Sequence, residues 1–201
     1  MGEPQPIRLT LASASPARRE LLQRLGVPFE VRPAYIDEPE AGFRDPRTMV
    51  QMVSWLKAAA VAPSVENGLV LAADTIGWVN GHPIHKPADE ADARRILREL
   101  GGREHELWTG VTLWRRPDDV QIAWQERSLV HFTGLSDAEL DVYLATRSWR
   151  EHSGAYAILE DGDPYVRVAE GSVSNVIGLP METLTRVLDW LRRSEAASTA
   201  L

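Results

Sequence analysis

Serines and arginines near the N-terminus form a segment whose residue types could bind phosphate. The segment reads LASASPARRELL over residues 11–22, with Ser13 and Ser15 directly after an apolar run and Arg18 and Arg19 just beyond a proline. Ser is a favoured N-cap and Pro fits the first helical position, so we predict a helix that begins after Ser15. A helix start exposes free N–H groups and a partial positive charge, and both attract anions. Arginines there oppose the helix dipole, which indicates that an external anion completes the site; the alternative is a pair of solvated arginines.

Asp74 directly follows residues 69–73, an apolar run that is typical of a buried central strand. We expect Asp74 at the C-terminal edge of that strand, because ligands of open α/β sheets bind at such edges. A carboxylate in that position needs a metal ion, a cation or a reacting water as partner. The alternative is structural, with Asp74 capping the turn before Thr75.

Lysines and an acidic pair complete a set that suits phosphate chemistry. Lys57 lies beside alanines on a predicted helix, where its ammonium could reach inward, and the proline after Lys86 holds that lysine in an extended conformation. Taken alone, each lysine is better explained as a solvated surface charge. Asp37 and Glu38 lie together in a polar loop and suit Mg²⁺. Cations that oppose a polyanion, with carboxylates that hold a hard cation, are what transfer at phosphorus requires.

Several other kinds of chemistry are excluded or disfavoured. The chain has no cysteine, which excludes disulfides and thiolate catalysis, and it lacks both the GxxxxGK[ST] phosphate loop and the GxSxG elbow. The histidines show no HExxH-type spacing, so we interpret them as structural or exposed: His82, His85, His105, His131 and His152. A formal net charge of −7 argues against a general partner such as nucleic acid or an anionic membrane.

Length and patterning predict one mixed α/β domain over residues 1–201. No apolar run is long enough to span a bilayer and no secretory signal is evident, so we expect a cytoplasmic protein. Asn80–Gly81 between extended segments predicts a hairpin. Periodicity predicts helices over residues 16–25, 47–61, 89–100, 136–146 and 182–193. It predicts strands over residues 7–12, 29–32, 69–73, 75–79, 82–84, 105–114, 120–132, 156–158 and 165–168, and a frayed tail over residues 194–201.

Taken together, these segments closely resemble the Maf family of nucleoside triphosphate pyrophosphatases, which are related to septum formation inhibitors. The resemblance covers almost the whole chain in family order. The matching motifs are LASASPARRELLQRLGVPFEV (residues 11–31), IDE (36–38), LKA (56–58), AADT (72–75), HKP (85–87), GGREHELWTGV (101–111), SGAYAI (153–158) and EGSVSNVIGLP (170–180).

The resemblance implies a metal-dependent, house-cleaning hydrolase. Such an enzyme cleaves the α–β phosphate bond of a noncanonical or pyrimidine nucleoside triphosphate, dTTP/UTP-like or 7-methyl-GTP-like, to the monophosphate and pyrophosphate. The resemblance also implies Mg²⁺ or Mn²⁺ as cofactor, an elongated mixed-sheet α/β fold of the inosine-triphosphatase-like type with flanking helices and a central cleft, and often a homodimer. The alternative function is a non-catalytic nucleotide-binding regulator of cell division.

Site residues follow from the same resemblance, position by position. Asp74 corresponds to the catalytic acid that activates water or binds the metal, and Glu38 to the second metal carboxylate. The side chains that the resemblance assigns to the triphosphate are Ser13, Arg18, Lys57 and Lys86. Arg19 has no counterpart in the family pattern and is a further candidate from the serine–arginine segment.

The specificity positions depart from both known subgroups of the family. Pyrimidine-specific members carry arginine where this chain has Ala17, and members that act on 7-methyl-GTP carry a bulky aromatic residue there. Thr75 follows the pyrimidine pattern, whereas Leu159 replaces the Gln of one subgroup and the acid of the other. A leucine side chain makes no hydrogen bond to a base edge. Whether Arg19 substitutes for the missing arginine is left open by the sequence.

Overall fold

The computed structural model describes residues 8–38, 43–150, 152–158 and 164–199, with side chains described up to residue 194. The elements follow in chain order as β1 (Leu9–Leu11), α1 (Pro16–Gln23), β2 (Phe29–Val31), α2 (Pro46–Val61), β3 (Gly68–Val79), β4 (His82–Ile84), α3 (Glu90–Leu100), β5 (Arg103–Arg116), β6 (Gln121–Phe132), α4 (Asp137–Ala145), β7 (Val166–Glu170), α5 (Val173–Ile177) and α6 (Met181–Thr199). Short 3₁₀ turns lie at Ala62–Ser64 and Ser153–Ala155.

The strands form one seven-stranded mixed sheet in the order β2-β1-β3-β5-β6-β7, with β4 also paired to β3. β1 is parallel to both β2 and β3, and the other pairs are antiparallel. This arrangement confirms the predicted mixed α/β class. The long β3 and β5 strands pair from Gly68 opposite Arg116 to Trp78 opposite Glu106, so they form the rigid centre of the sheet.

Side-chain hydrogen bonds fix where the helices begin. The Ser15 hydroxyl accepts a hydrogen bond from the Arg18 backbone N–H at the start of α1, and Asp45 caps α2 in the same way. Ser136 and Glu139 form a reciprocal capping box at the start of α4. The polar residues that cap these helices therefore determine their entry points, as the sequence predicts for α1 and α4.

Alternate residues of β3 face opposite layers of the molecule, because side chains alternate along a strand. Val70 and Ala72 pack with Ala58 and Val61 of α2. On the other face, Leu69, Leu71 and Ala73 pack in one core cluster with leucines of α1 and α6. Asp74 therefore points toward α2, and its neighbour Thr75 points toward the layer of α1 and α6. None of the described helices is both long enough and apolar enough to cross a membrane.

Asp74 does not lie at the C-terminal edge of its strand, which corrects one prediction. β3 continues through Asp74 to Val79 as a single strand. On the side away from β5, β1 pairs with β3 only up to Leu71, and β4 pairs only from Gly77 onward. In the described part of the chain, no strand pairs with that side of β3 between them. The edge that exposes Asp74 is therefore made by the short neighbouring strands, not by the end of β3 itself.

Other predicted elements differ in extent or in kind. Residues 156–158 are not a strand, because Tyr156 follows a 3₁₀ turn and is buried against His105 and Phe132 instead of pairing along a sheet edge. The tail predicted to fray from residue 194 instead continues α6 to Thr199, and its alanines favour helix. The five-residue helix α5 was not predicted, because it is too short to show a helical period.

Candidate active site

Lys57 connects the two carboxylates that the sequence singled out. Its Nζ atom donates a hydrogen bond to Asp74 Oδ1 at 2.8 Å and forms an ion pair with Glu38 Oε1 at 2.7 Å. The Lys57 side chain extends from α2 across the gap beside β3 and is only 13% exposed. Glu38 and Asp74 therefore converge on one ammonium group. The partner that Asp74 was expected to need is a cation supplied by the chain itself.

Asp74 retains a free coordination position despite its burial. The residue is 8% exposed, and Lys57 contacts its Oδ1 atom. No described residue forms a hydrogen bond with Oδ2. A carboxylate oxygen that no described residue contacts can accept a proton from water or bind a cation.

The Arg18 side chain extends from α1 to Thr75, the neighbour of Asp74 on β3. Two hydrogen-bond acceptors of the protein hold it there. Its Nε–H donates to the Gly178 carbonyl at 2.8 Å, and its Nη2 donates to Thr75 Oγ1 at 3.0 Å. Burial lowers the pKa of Arg18, and the negative charges of Asp74 and Glu38 partly oppose this shift. The Arg18 guanidinium and the Lys57–carboxylate cluster thus belong to one electrostatic site.

The loop before α1 supplies the third side of the site. Ser13 is buried, and its Oγ atom accepts hydrogen bonds from the Ser15 backbone N–H at 3.2 Å and from Arg18 Nη1 at 3.4 Å. The Ser13 hydroxyl and the N-terminus of α1 therefore lie next to the Arg18 side chain. Helix starts with neighbouring cations bind phosphate groups well.

Residues that the sequence did not indicate as functional also support Arg18. Thr75 Oγ1 lies 2.9 Å from Thr109 Oγ1, and the Thr109 hydroxyl donates to the Asn175 carbonyl at 3.0 Å. Gly178 directly follows α5 and has a φ of +122°, which favours glycine. Arg18 and Gly178 are 160 positions apart, so no local spacing could reveal their contact.

The remaining predicted site residues lie on α1, after β4 or outside the described residues. Arg19 is exposed and lines a separate cavity of about 540 Å³ beside β2 with Gln23 and Phe29. Lys86 is exposed after β4, and Ala17 is half-buried on α1 beside Arg18. Leu159 lies outside the described residues. The two arginines therefore separate: Arg18 is bound by Thr75 and Gly178, and Arg19 lies at the cavity beside β2.

The donor set fits a hard divalent cation that is shared with a ligand. The described residues contain no group of three or more His, Cys, Asp or Glu side chains that could hold a metal ion by themselves. Mg²⁺ is commonly bound by one or two carboxylates, with substrate phosphates and water completing its coordination. Glu38 and Asp74 each keep one oxygen that makes no hydrogen bond to a described residue.

Both the fold and the sequence of this chain are similar to those of known proteins. The fold is an α/β mixed-sheet architecture shared with a HAM1 protein from Coxiella burnetii, at a TM-score of 0.54 and 16% identity over 91% of this chain and 98% of that one. The chain belongs to the Maf family, since the family described as Maf-like protein matches residues 8–191.

Curated relatives cover nearly the whole chain. A protein of Pelotomaculum thermopropionicum named dTTP/UTP pyrophosphatase is 37% identical over 92% of this chain and 95% of its own length. A protein of the same name from Anaeromyxobacter sp. (strain Fw109-5) is 45% identical over 90% of this chain and 88% of its own.

Proposed function

We propose that this protein is a nucleoside triphosphate pyrophosphatase that hydrolyses dTTP and UTP to the monophosphate and pyrophosphate. The observation that carries the proposal is the convergence of Lys57, Glu38 and Asp74 beside Arg18. Cations for a polyphosphate and carboxylates for a metal ion meet there at one edge of the sheet. The names of the relatives support the pyrimidine substrates.

The chain's own side chains have separable tasks in this reaction. Arg18, the Ser13 loop and the start of α1 bind phosphate oxygens and hold the triphosphate along the gap beside β3. Lys57 holds the Asp74 carboxylate through Oδ1 and leaves Oδ2 for the reaction. Asp74 orients the attacking water and accepts its proton while the water oxygen bonds to phosphorus and the bond to the α–β bridging oxygen breaks.

A divalent cation, Mg²⁺ or Mn²⁺, held by Glu38 and Asp74 would supply charge neutralisation at the phosphate oxygens. Glu38 suits a cation that is shared with the substrate, because its side chain is 54% exposed and can turn toward a cation bound to an incoming phosphate. Charge balance also supports a cation here. Arg18 and Lys57 are already matched by the two carboxylates, whereas a triphosphate brings several further negative charges.

A substrate panel tests the proposal. The purified protein is incubated with dTTP, UTP, 7-methyl-GTP and dATP in Mg²⁺ or Mn²⁺, with matched reactions in EDTA, and pyrophosphate and monophosphate are measured. We expect both products from dTTP and UTP, and loss of turnover in EDTA. Turnover of 7-methyl-GTP alone would contradict the pyrimidine assignment. Binding of the triphosphates without any product would instead support the non-catalytic regulator.

A further inference from the structure

Thr109 on β5 makes contact with both of the groups that hold Arg18. Its side chain lies directly opposite Thr75 in the sheet, and their hydroxyl oxygens are 2.9 Å apart. The same hydroxyl donates to the Asn175 carbonyl at 3.0 Å. That carbonyl also accepts the backbone N–H of Gly178, whose own carbonyl binds Arg18. Thr109 is thus a common support for Thr75 and for the turn at Gly178.

Elementary chemistry fixes the direction of each hydrogen bond in the series that runs from the Asn175 carbonyl through Thr109 and Thr75 to Arg18. The Asn175 carbonyl can only accept, so the single hydroxyl proton of Thr109 is used there. Thr75 must then donate to Thr109 Oγ1, and Thr75 Oγ1 is left to accept from Arg18. Arginine has no acceptor, so the order cannot be reversed.

We infer that Thr109 is a positioning residue for Arg18, acting through Thr75 and the Asn175–Gly178 turn. This inference rests on the proposed function, because it assigns Arg18 to the binding of the triphosphate. It also gives Thr75 a definite task. With its one proton committed to Thr109, Thr75 orients the guanidinium and does not donate to the nucleotide base.

The site depends on the support from Thr109 because one edge of the Arg18 guanidinium is hydrogen-bonded to the protein. Nε and Nη2 are bound to Gly178 and Thr75, which leaves Nη1 and the second proton of Nη2 for a ligand. Nη1 has only the long 3.4 Å contact with Ser13 Oγ. If Thr75 rotates, the ligand-facing edge turns with the rest of the guanidinium group.

Matched variants distinguish the positioning role of Thr109 from the general effect of removing a buried hydroxyl. Thr109→Val removes the hydroxyl at nearly constant volume, and Thr109→Ser keeps it. Thr112→Val is the control, because Thr112 lies on the same strand, is equally buried at 0% exposure, and shares a 3.0 Å hydroxyl contact with Ser54. Thr112 faces α2 and has no hydrogen bond to Arg18, Thr75 or Thr109 among the described residues.

The measurements are kcat and KM for dTTP, and the Kd of an α,β-methylene analogue of dTTP by calorimetry. We expect Thr109→Val to raise KM and Kd by about tenfold with kcat within about twofold. Thr109→Ser should behave as wild type, and Thr112→Val should lose stability without a change in KM. In an Arg18→Ala background, Thr109→Val should add less than about twofold.

An unchanged Kd in Thr109→Val, an equal rise in Thr112→Val, or failure of Thr109→Ser to retain affinity would overturn the inference. A tenfold effect that persists without Arg18 would do the same. Absence of pyrophosphate from wild-type protein would overturn the proposed function separately, because the binding comparison still decides whether Thr109 acts on Arg18.

Discussion

The Arg18 guanidinium is fixed at two points that no single stretch of sequence contains. The Gly178 carbonyl and the Thr75 hydroxyl bind the same edge of this group, at 2.8 Å and 3.0 Å. Fixed acceptors reduce the rotamer freedom that a long side chain would otherwise lose on binding a ligand. At the residue scale, the affinity of the site for phosphate therefore depends on how tightly these acceptors are themselves held.

Gly178→Ala tests that dependence. A Cβ atom at this position would lie 3.2 Å from Thr75 Oγ1 and 3.4 Å from Arg18 Nε, at a φ of +122°. We expect the strain to reduce the free energy of unfolding by about 1–3 kcal/mol. Displacement of Arg18 should raise KM for dTTP about tenfold, as loss of one hydrogen bond to a charged group would. Urea unfolding and steady-state kinetics measure the two effects.

The matched control is Gly26→Ala, where φ is +65° and no atom lies within 4 Å of the added Cβ. That variant should lose about 1 kcal/mol of stability from backbone strain alone and keep its KM. An equal KM for the two variants would contradict the role assigned to the Gly178 turn.

Sequence reasoning reached part of this residue-scale picture. The alanines around Lys57 allow its ammonium to reach inward, although a lysine alone is better explained as a surface charge, and Lys57 does contact Asp74. The pattern could not separate Arg18 from Arg19, although neighbouring residues of a helix point about 100° apart. Only the packing of α1 decides which arginine is bound by Thr75 and Gly178. Thr109 and Gly178 escaped prediction because their contacts join positions far apart in the chain.

At the scale of elements, the site depends on how closely α2 approaches the sheet. Gly110 on β5 lies opposite Asp74, and a Cβ there would be 2.3 Å from the Val50 carbonyl oxygen of α2. Backbone therefore meets backbone at this point. The close approach positions the following turns of α2 so that Lys57 can span the gap to Asp74.

Gly110→Ala should separate α2 from the sheet. Because the clash is with backbone atoms of Val50 and Gln51, side-chain rotation cannot relieve it, and we expect a loss of about 3 kcal/mol in the free energy of unfolding. Lys57 should move with the helix, so kcat/KM should fall as well. Urea unfolding checks the first effect and dTTP kinetics the second.

Gly134→Ala is the comparison for this variant, because its nearest atom would lie at 3.5 Å, an ordinary contact distance. We expect that change to be within about 1 kcal/mol of wild type. If Gly110→Ala proves as stable and as active as Gly134→Ala, the close approach of α2 does not position Lys57.

Elements with strong local signals were predicted well, and those defined by their neighbours were not. Asn80 and Gly81 both have positive φ, and they join β3 to β4 as the hairpin signal indicates. The gap beside Asp74 arises because β1 and β4 are each only three residues long. Strand length and pairing depend on the whole sheet, so periodicity alone misplaced the edge.

For the whole molecule, a buried histidine makes stability depend on pH. His105 is 2% exposed, its Nε2 lies 2.5 Å from the Tyr156 hydroxyl, and its Nδ1 has no hydrogen-bond partner among the described residues. Burial, with a smaller effect of His131, lowers the pKa of His105 to about 4. The unfolded chain therefore binds this proton first as pH falls, and stability present above about pH 6.5 is lost progressively down to about pH 4.

His105→Gln should remove this part of the pH dependence. For wild type, the titration of His105 should contribute about 2 kcal/mol to the fall in the free energy of unfolding between pH 7 and pH 5. The variant should show a correspondingly smaller fall, since the carboxylates that titrate at lower pH are common to both proteins. Urea unfolding at the two pH values measures the difference, and parallel curves for the two proteins would contradict the prediction.

The account as a whole rests on Asp74 acting in turnover while the surrounding cations bind the triphosphate. The most direct measurement compares Asp74→Asn with wild type for release of pyrophosphate from dTTP and for affinity toward its α,β-methylene analogue. Asn keeps the acceptor for Lys57 but loses the proton-accepting carboxylate, so turnover should fall by about 10²–10⁴-fold with Kd changed by less than about tenfold. Turnover at the wild-type rate in Asp74→Asn would contradict the assignment of this carboxylate to the reaction.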